Sequence, residues 1–494
     1  MVSTTTPKEV ELKRVSALGG AHTVLAQGVC YAAQMVSTVI LARLLTPRDF
    51  GLVALVTSIT SMLGYFGVDL GLTDATIQRK DLTRAQSNGL FWISVCSGGF
   101  FALATCASAP ALAWFYREPR LVLISVAIAP SFVFQGVAVQ HLALLSREMR
   151  FGTVAMIQSV SIVGGAVVAI GAALLGAGYW SLVAQPVVAA LGSALAAWSL
   201  NRWRPGLPTR GVGLRSFLHF GRNVTMFNFL NQFARSFDKI VIGRICGAAA
   251  LGYYTRAAYL LLLPLGQVIL PFGKVLVPVL SRLQDDRERF RNYFCKALNA
   301  AAFGIFIPVA ALMALSDDVI LVLLGPAWKE SALLFKVLAL SALTQPLFSA
   351  VTWVATAQGK TREMRQWSLV SAPLICAAFL VGAKWGVVGV AASYTVTSYT
   401  IQAFGLNYLL GGTPINSRTI LASVWRPAFI SALVFLGASL CSHWTAASGP
   451  LLRIIIASLF GFLLAAGAVA SWPSARKEVM GLWATFKLLR SPST

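Results

Sequence analysis

Acidic side chains are scarce in this chain: 17 Asp and Glu in 494 residues, against 40 Lys and Arg. Charge of either sign is thin as well. Only 12 % of residues are charged, whereas a water-soluble globular chain carries about 25 %. Half that density does not cover a water-facing surface over this length, so a soluble enzyme, a disordered chain and a small secreted module are excluded. Four histidines (His22, His141, His219, His443) show no ligand spacing, so no metal site is expected. The seven cysteines contain no CxxC pair and sit mostly in apolar runs, where Cys serves as a small buried hydrophobe. Nothing in the sequence calls for a cofactor.

What is abundant is apolar surface: 57 % of the residues are hydrophobic. A membrane-crossing helix needs roughly 20 such residues in a row. Such runs fall near 17–42, 50–71, 87–109, 121–145, 152–175, 179–200, 216–243, 251–280, 293–315, 331–357, 365–384, 387–410, 421–442 and 451–472. They are long and continuous rather than short and alternating, which separates helices from a spanning β-barrel. The expected fold is all-α, a polytopic membrane protein of about 14 transmembrane helices.

The net charge of +23 is concentrated in short connections. Arg79, Lys80, Arg84, Arg147, Arg150, Arg202, Arg204 and Arg210 fall in alternate loops of the first half. Arg282, Arg287, Arg289, Arg291, Lys360, Arg362 and Arg365 do so in the second, and Arg476, Lys477, Lys487 and Arg490 follow in the tail. The connections around Ala177 and Ala446 carry no basic residue. This alternation places the basic loops and both termini in the cytoplasm, with anionic lipid rather than nucleic acid as the partner of the positive charge. No connection has room for a folded soluble domain of about 50 residues. The work of the protein is therefore done within its helices.

Leu41-Ala42-Arg43-Leu44 and Phe50-Gly51-Leu52 follow the first apolar run. Ile242-Gly243-Arg244-Ile245 and Leu251-Gly252-Tyr253 follow the seventh, with Arg43 matching Arg244 and Gly51 matching Gly252 at one constant offset. Each repeat then holds six helices and enters the membrane in the same sense, a parallel repeat of the kind transporters use. The organisation expected is a cytoplasmic segment 1–16, a six-helix bundle 17–200, a basic linker 201–215 and a second six-helix bundle 216–410. An additional helix pair, 421–472, and a basic tail, 473–494, complete the chain.

Polar residues within these runs mark the candidate site. Gln27, Tyr31, Gln34 and Thr38 share one face of the first helix. The seventh carries Asn228, Gln232, Arg235 and Lys239 at the same offset, with Asn231 and Asp238 beside them and His219, Arg222 and Asn223 a few turns earlier. A charge at the bilayer centre costs at least about 2.5–3.5 kcal/mol, so these groups face a bundle interior. Two interpretations stay open: a structural Arg235–Asp238 pair at i,i+3, or a water-filled cationic cavity suited to an anion. Lys336 near a helix end is read as snorkelling. Gln135, Gln140 and His141 line the fourth helix and Gln158 the fifth, and a lone glutamine in a bundle is read as an interhelical hydrogen bond.

The stretches Leu41–Val53 (LARLLTPRDFGLV), Gly67–Asp81 (GVDLGLTDATIQRKD), Gln140–Arg150 and Phe151–Val183 resemble Wzx-like polysaccharide transporters. These belong to the multidrug/oligosaccharidyl-lipid/polysaccharide exporter superfamily, and the likeness is to the exopolysaccharide (colanic acid and xanthan) branch. The resemblance implies a flippase that carries an undecaprenyl-pyrophosphate-linked oligosaccharide from the cytoplasmic to the periplasmic leaflet of the bacterial inner membrane. It implies two bundles in a V around a cationic central cavity, alternating access, and an H+ or Na+ gradient as the drive. Arginine suits phosphate oxygens, so Arg222, Arg235 and Lys239 are the expected pyrophosphate contacts. Asn228, Gln232, Gln27, Tyr31 and Gln34 are the expected sugar contacts, and Asp238 or Asp69 the expected cation-coupling carboxylate. Polysaccharide polymerase and chain-length or export proteins are the partners such a role implies. Four alternatives are weighed against it. A multidrug or organic-cation antiporter would want an acidic cavity. A peptidoglycan-precursor flippase shares the anionic head. A membrane polymerase or transferase would need a catalytic carboxylate or His in a substantial loop. A structural scaffold would tolerate loss of the cationic residues.

Overall fold

A computed structural model describes residues 27–67, 71–78, 81–208, 233 and 236–472. Among these the regular structure is helical, with no strand. Nine stretches of them are long and apolar enough to cross a membrane, each tolerating at most two charges in its central window. The longest, Thr361–Leu410, holds two helices joined by a tight 3-10 turn at Ala383–Trp385. The chain forms two compact units, Met1–Gly252 and Tyr253–Thr494.

In the first unit α1 is helical over 27–44. It is followed by α2 (Pro47–Gly67), α3 (Leu72–Gln78), α4 (Arg84–Tyr116), α5 (Arg120–Ile128), α6 (Pro130–Arg147), α7 (Phe151–Leu174), α8 (Tyr179–Leu200) and α9 over 236–245. The run expected at 121–145 is broken in two. Pro130, without an N–H and with a fixed φ, takes the first position of α6 and ends α5 at Ile128. Thr46 and Asp49 cap the start of α2 reciprocally: the Thr46 N–H and Oγ1 donate to Asp49 Oδ2 at 2.9 and 2.7 Å, and the Asp49 N–H donates to Thr46 Oγ1 at 3.3 Å. Thr83 and Gln86 form the same box at α4.

With no water to drive helices together inside a bilayer, close backbone approach decides packing. Antiparallel α4 and α6 meet this way. A methyl group on Gly98 would strike the Phe132 carbonyl, and one on Gly136 would strike that of Ser94. At one end of the unit Glu118 accepts from Arg48 at 3.2 Å and from Arg120 at 2.8 Å. At the other, Arg147 donates to the Thr76 carbonyl at 2.8 Å, Asn201 Nδ2 to that of His141 at 3.2 Å, and Trp92 Nε1 to that of Gly206 at 3.0 Å. The connection leaving α8 is thereby strapped across α4 and α6.

The second unit continues α10 (Gly247–Arg282), whose first turns belong to the first unit. It adds α11 (Arg287–Ala314), α12 (Ser316–Leu323), α13 (Lys329–Ala342), α14 (Gln345–Ala357), α15 (Thr361–Gly382), α16 (Gly386–Leu410), α17 (Ser417–Trp444) and α18 (Pro450–Ser471). The run expected over 331–357 is two helices, since Pro346 sits in the first turn of α14 and the chain turns at Leu343–Thr344. The final pair packs on this unit: α17 on α11, and α18 on α17 and α12. Leu315, Val319, Ala438, Cys441 and Ala457 form the buried seam, and Asn299 Nδ2 donates to the Ser423 carbonyl at 2.9 Å. Lys336, read from sequence as snorkelling, pairs with the exposed Asp317 at 2.5 Å. All seven cysteines are free thiols.

Candidate functional site

The polar face of α1 is graded along its length. Gln27 is exposed, Tyr31 and Gln34 are half-buried, and Thr38 is buried at 6 %. The helix is held from an adjacent face, turned by about 80° from the stripe at 100° per residue. There Cys30 Sγ lies 3.3 Å from Ser159 Oγ on α7, and Gln185 Nε2 of α8 donates to Ser37 Oγ at 3.4 Å. Both anchors lie off the stripe.

On α9 the described residues bring Asp238 and Lys239 into the same unit. Asp238 is 8 % exposed and its Oδ1 accepts the Lys239 backbone N–H at 2.7 Å. Lys239 is half-buried. Beyond them Val241, Ile242 and Gly243 are buried. A methyl on Gly243 would strike Leu55 of α2 and crowd Tyr116 of α4, so α9 packs closely on two neighbouring helices at that point. Polar groups thus stand in half-buried positions on α1 and α9, and Leu41, Ala42, Val241 and Ile242 further along the two helices are buried. The residue types on these two helices carry hydroxyl, phenol and amide groups and a lysine ammonium, which hydrogen-bond to polar and anionic groups.

Of the residues singled out from sequence, Gln27, Tyr31, Gln34, Asp238 and Lys239 fall within the described structure. Arg222, Asn228, Gln232, Arg235 and Asp69 lie outside the described residues. Among those described, no three His, Cys, Asp or Glu side chains are placed to hold a metal ion.

Two features escaped the sequence. Arg256, half-buried on α10, stacks over the Tyr259 ring at 5.0 Å. Its signal was an Arg-x-x-Tyr step inside an apolar run, which puts cation and ring on one face. His141, placed by sequence on the fourth helix, is fully buried, and among the described residues neither ring nitrogen has a hydrogen-bond partner. Its ring packs edge-on against Trp198, Trp203 and Phe91 at 4.9, 5.2 and 5.8 Å. Its neighbour Gln140 does make the interhelical contact, as acceptor from Thr76 Oγ1 at 3.4 Å.

Residues 40–333 match the family model described as polysaccharide biosynthesis protein. Teichuronic acid biosynthesis protein TuaB of Bacillus subtilis (strain 168) is 24 % identical over 427 residues, covering 84 % of this chain and 87 % of that one. Lipopolysaccharide biosynthesis protein WzxC of Escherichia coli (strain K12) is 22 % identical over 436 residues, covering 85 % and 86 %. Among solved structures, the lipid II flippase MurJ in an inward closed conformation superposes with a TM-score of 0.69 at 15 % identity, over 91 % of this chain and 99 % of that one. That likeness establishes the fold.

Proposed function

The chain belongs to the polysaccharide biosynthesis protein family, and from that premise we propose that it is a flippase for undecaprenyl-pyrophosphate-linked oligosaccharide repeat units. It carries them from the cytoplasmic to the periplasmic leaflet of the bacterial inner membrane for exopolysaccharide assembly, with both termini in the cytoplasm. The observation that carries this reading is the graded polar face of α1, exposed at Gln27 and buried by Thr38; the half-buried Lys239 on the repeat-equivalent α9 supplies a cation. A polar row that opens toward one end and closes toward the other suits a cargo admitted from one side at a time.

The chemistry follows from the residue types. Gln27, Tyr31 and Gln34, with Asn228 and Gln232, exchange hydrogen bonds with sugar hydroxyls. Lys239, with Arg222 and Arg235, neutralises the pyrophosphate, and the lipid tail stays in the bilayer. The hold on cargo is modest in each state, because only a difference in affinity between states moves the equilibrium. Asp238 serves cation coupling, with Asp69 as the other candidate: a carboxylate is the side chain that takes up a proton or a sodium ion.

The test is movement of a lipid-linked repeat unit across inverted membrane vesicles, with and without an H+ or Na+ gradient. Wild type, Lys239→Ala, Arg235→Ala and Gln34→Ala are compared. Gradient-stimulated movement that falls about tenfold in the two cationic variants, and less in Gln34→Ala, supports the reading. Equal movement in all four moves the site away from α1 and α9. No movement under any gradient, with substrate present, favours a polymerase, a transferase or a scaffold.

A further inference from the structure

Basic residues of membrane proteins collect in cytoplasmic loops, and one end of the first unit runs against that rule. Its connections 41–50, 113–121 and 243–252, expected to face outward, hold Arg43, Arg48, Arg117, Arg120 and Arg244 against two acids, Asp49 and Glu118. All five arginines are exposed. The outward connections of the second unit are balanced differently: Lys336 meets Asp317 and Arg453 meets Asp318, one carboxylate to each cation. A positive excess on the side where the charge rule disfavours it calls for a use.

The fold gathers these residues. A methyl on Gly51 would fall on the Ala248 carbonyl, and one on Gly252 would fall on the Pro47 carbonyl. The turn bearing Arg48 therefore lies against the turn that follows Arg244. Arg244 itself lies over the Phe115 ring at 5.6 Å, which sets it beside the α4–α5 connection. There Glu118, its side chain 15 % exposed, holds Arg48 and Arg120 together. One carboxylate shared by two guanidinium groups leaves a positive charge over, and each fork keeps N–H donors for a further acceptor. Arg117 closes α4 with φ 57°, a left-handed position that glycine takes at less cost. Asp49 is turned back onto Thr46. Trp114 is 81 % exposed, and an aromatic ring at a helix end marks the boundary between hydrocarbon and water. The arginines thus stand at the depth of lipid phosphates.

We propose that this arginine cluster is an outward-side site for the pyrophosphate of the lipid-linked cargo. It is occupied after the head group has left the polar row of α1 and before the cargo departs into the outer leaflet. The site rests on the flippase reading and on the orientation expected from loop charge. Several planar forks at one depth suit the paired phosphates of a pyrophosphate better than the single phosphate of a bilayer lipid. Exposure to water makes the hold weak and salt-sensitive, as release requires.

The test uses the full chain, purified in detergent and titrated with undecaprenyl pyrophosphate. Trp114 reports local occupancy as the fluorescence difference between each protein and its Trp114→Phe form. Wild type is compared with Arg117→Gln/Arg244→Gln, which spares the pairs to Glu118, and with Arg48→Lys/Arg120→Lys, which keeps the charge and loses the forks. The expected result is a saturable Trp114 change in wild type. Half-saturation rises about tenfold in the glutamine form and about threefold in the lysine form, and binding weakens between about 0.1 and 1 M salt. An equal concentration of phosphatidylglycerol displaces little of the probe. Movement of the lipid-linked repeat unit falls in both forms at unchanged amounts of protein. No Trp114 change in wild type overturns the proposal, and so does the same half-saturation in all three proteins. Phosphatidylglycerol that competes equally overturns it too, since the cluster is then a site for bilayer headgroups. If the glutamine form does not accumulate, the lysine form decides, because its charge is intact. A wild type that binds the probe at Trp114 but moves no lipid-linked oligosaccharide sinks the flippase reading and leaves an outward pyrophosphate site.

Discussion

Arg453, in the first turn of α18, donates to Asp318 on α12 across 3.0 Å, with 23 % and 11 % of the two side chains exposed. The same guanidinium donates to the carbonyls of Ala446 and Ser448 at 2.8 and 3.2 Å. One side chain thus closes the α17–α18 turn and ties the final helix pair to the second unit.

Removing one partner leaves a largely buried charge unpaired. Arg453→Ala is expected to lower stability by about 1–3 kcal/mol, less than for a fully buried pair because the arginine keeps some solvent contact. The double variant Asp318→Asn/Arg453→Ala should cost less than the sum of the two single changes, read as thermal unfolding of the detergent-purified protein. Additive losses would mean that the pair contributes nothing.

Glu118 makes a pH prediction at the opposite end of the chain. Partial burial pushes its carboxyl up, but the guanidinium groups of Arg120 and Arg48 outweigh that and hold it below the ordinary 4.5. A depressed carboxylate stabilises the fold above its unfolded pKa and loses that contribution as pH falls through the folded value. Wild type should therefore exceed Glu118→Gln in melting temperature from neutral pH down to about 4.5. The gap should close only below that. A gap that closes between pH 8 and 6 would assign it to another group.

His141 separates shape from polarity. With no partner on either ring nitrogen among the described residues, it contributes volume to the aromatic cluster and no hydrogen bond there. His141→Phe should match or exceed wild-type stability, since an unsatisfied buried polar group is removed. His141→Ala should lose about 2 kcal/mol or more through the cavity it leaves. Destabilisation by both changes to the same degree would mean that the imidazole nitrogens do engage a partner.

Met149 carries a positive φ of 58° at the end of α6, and its N–H bonds the Ser146 carbonyl while that of Arg150 bonds Leu145, each at 3.0 Å. The corresponding turn after α14 has Gly359, with φ +68° and the same bonding pattern. Because a side chain in the left-handed region costs about 1–2 kcal/mol, Met149→Gly should raise stability and Gly359→Ala should lower it, each by about 1 kcal/mol. Thermal unfolding of the two variants checks both signs.

Composition and apolar run length were enough to read an all-helical membrane chain from the sequence. A bilayer allows few ways to bury backbone polar groups, so twenty apolar residues in a row carry nearly the whole message. The polar row Gln27, Tyr31, Gln34 and Thr38 was legible for the same reason: in hydrocarbon, a polar side chain must face something other than lipid. Where proline interrupts the apolar runs, at Pro130 and Pro346, the sequence contained the break but hydropathy alone passed over it. Tertiary structure decided how deeply each member of the row is buried, that Lys336 finds Asp317, and that His141 sits among aromatic rings. Above all it decided that Gly51 and Gly252 meet. Hydropathy is a sum over neighbours in sequence, whereas each of these depends on which backbone comes within van der Waals reach of another far along the chain, and no local pattern encodes that distance.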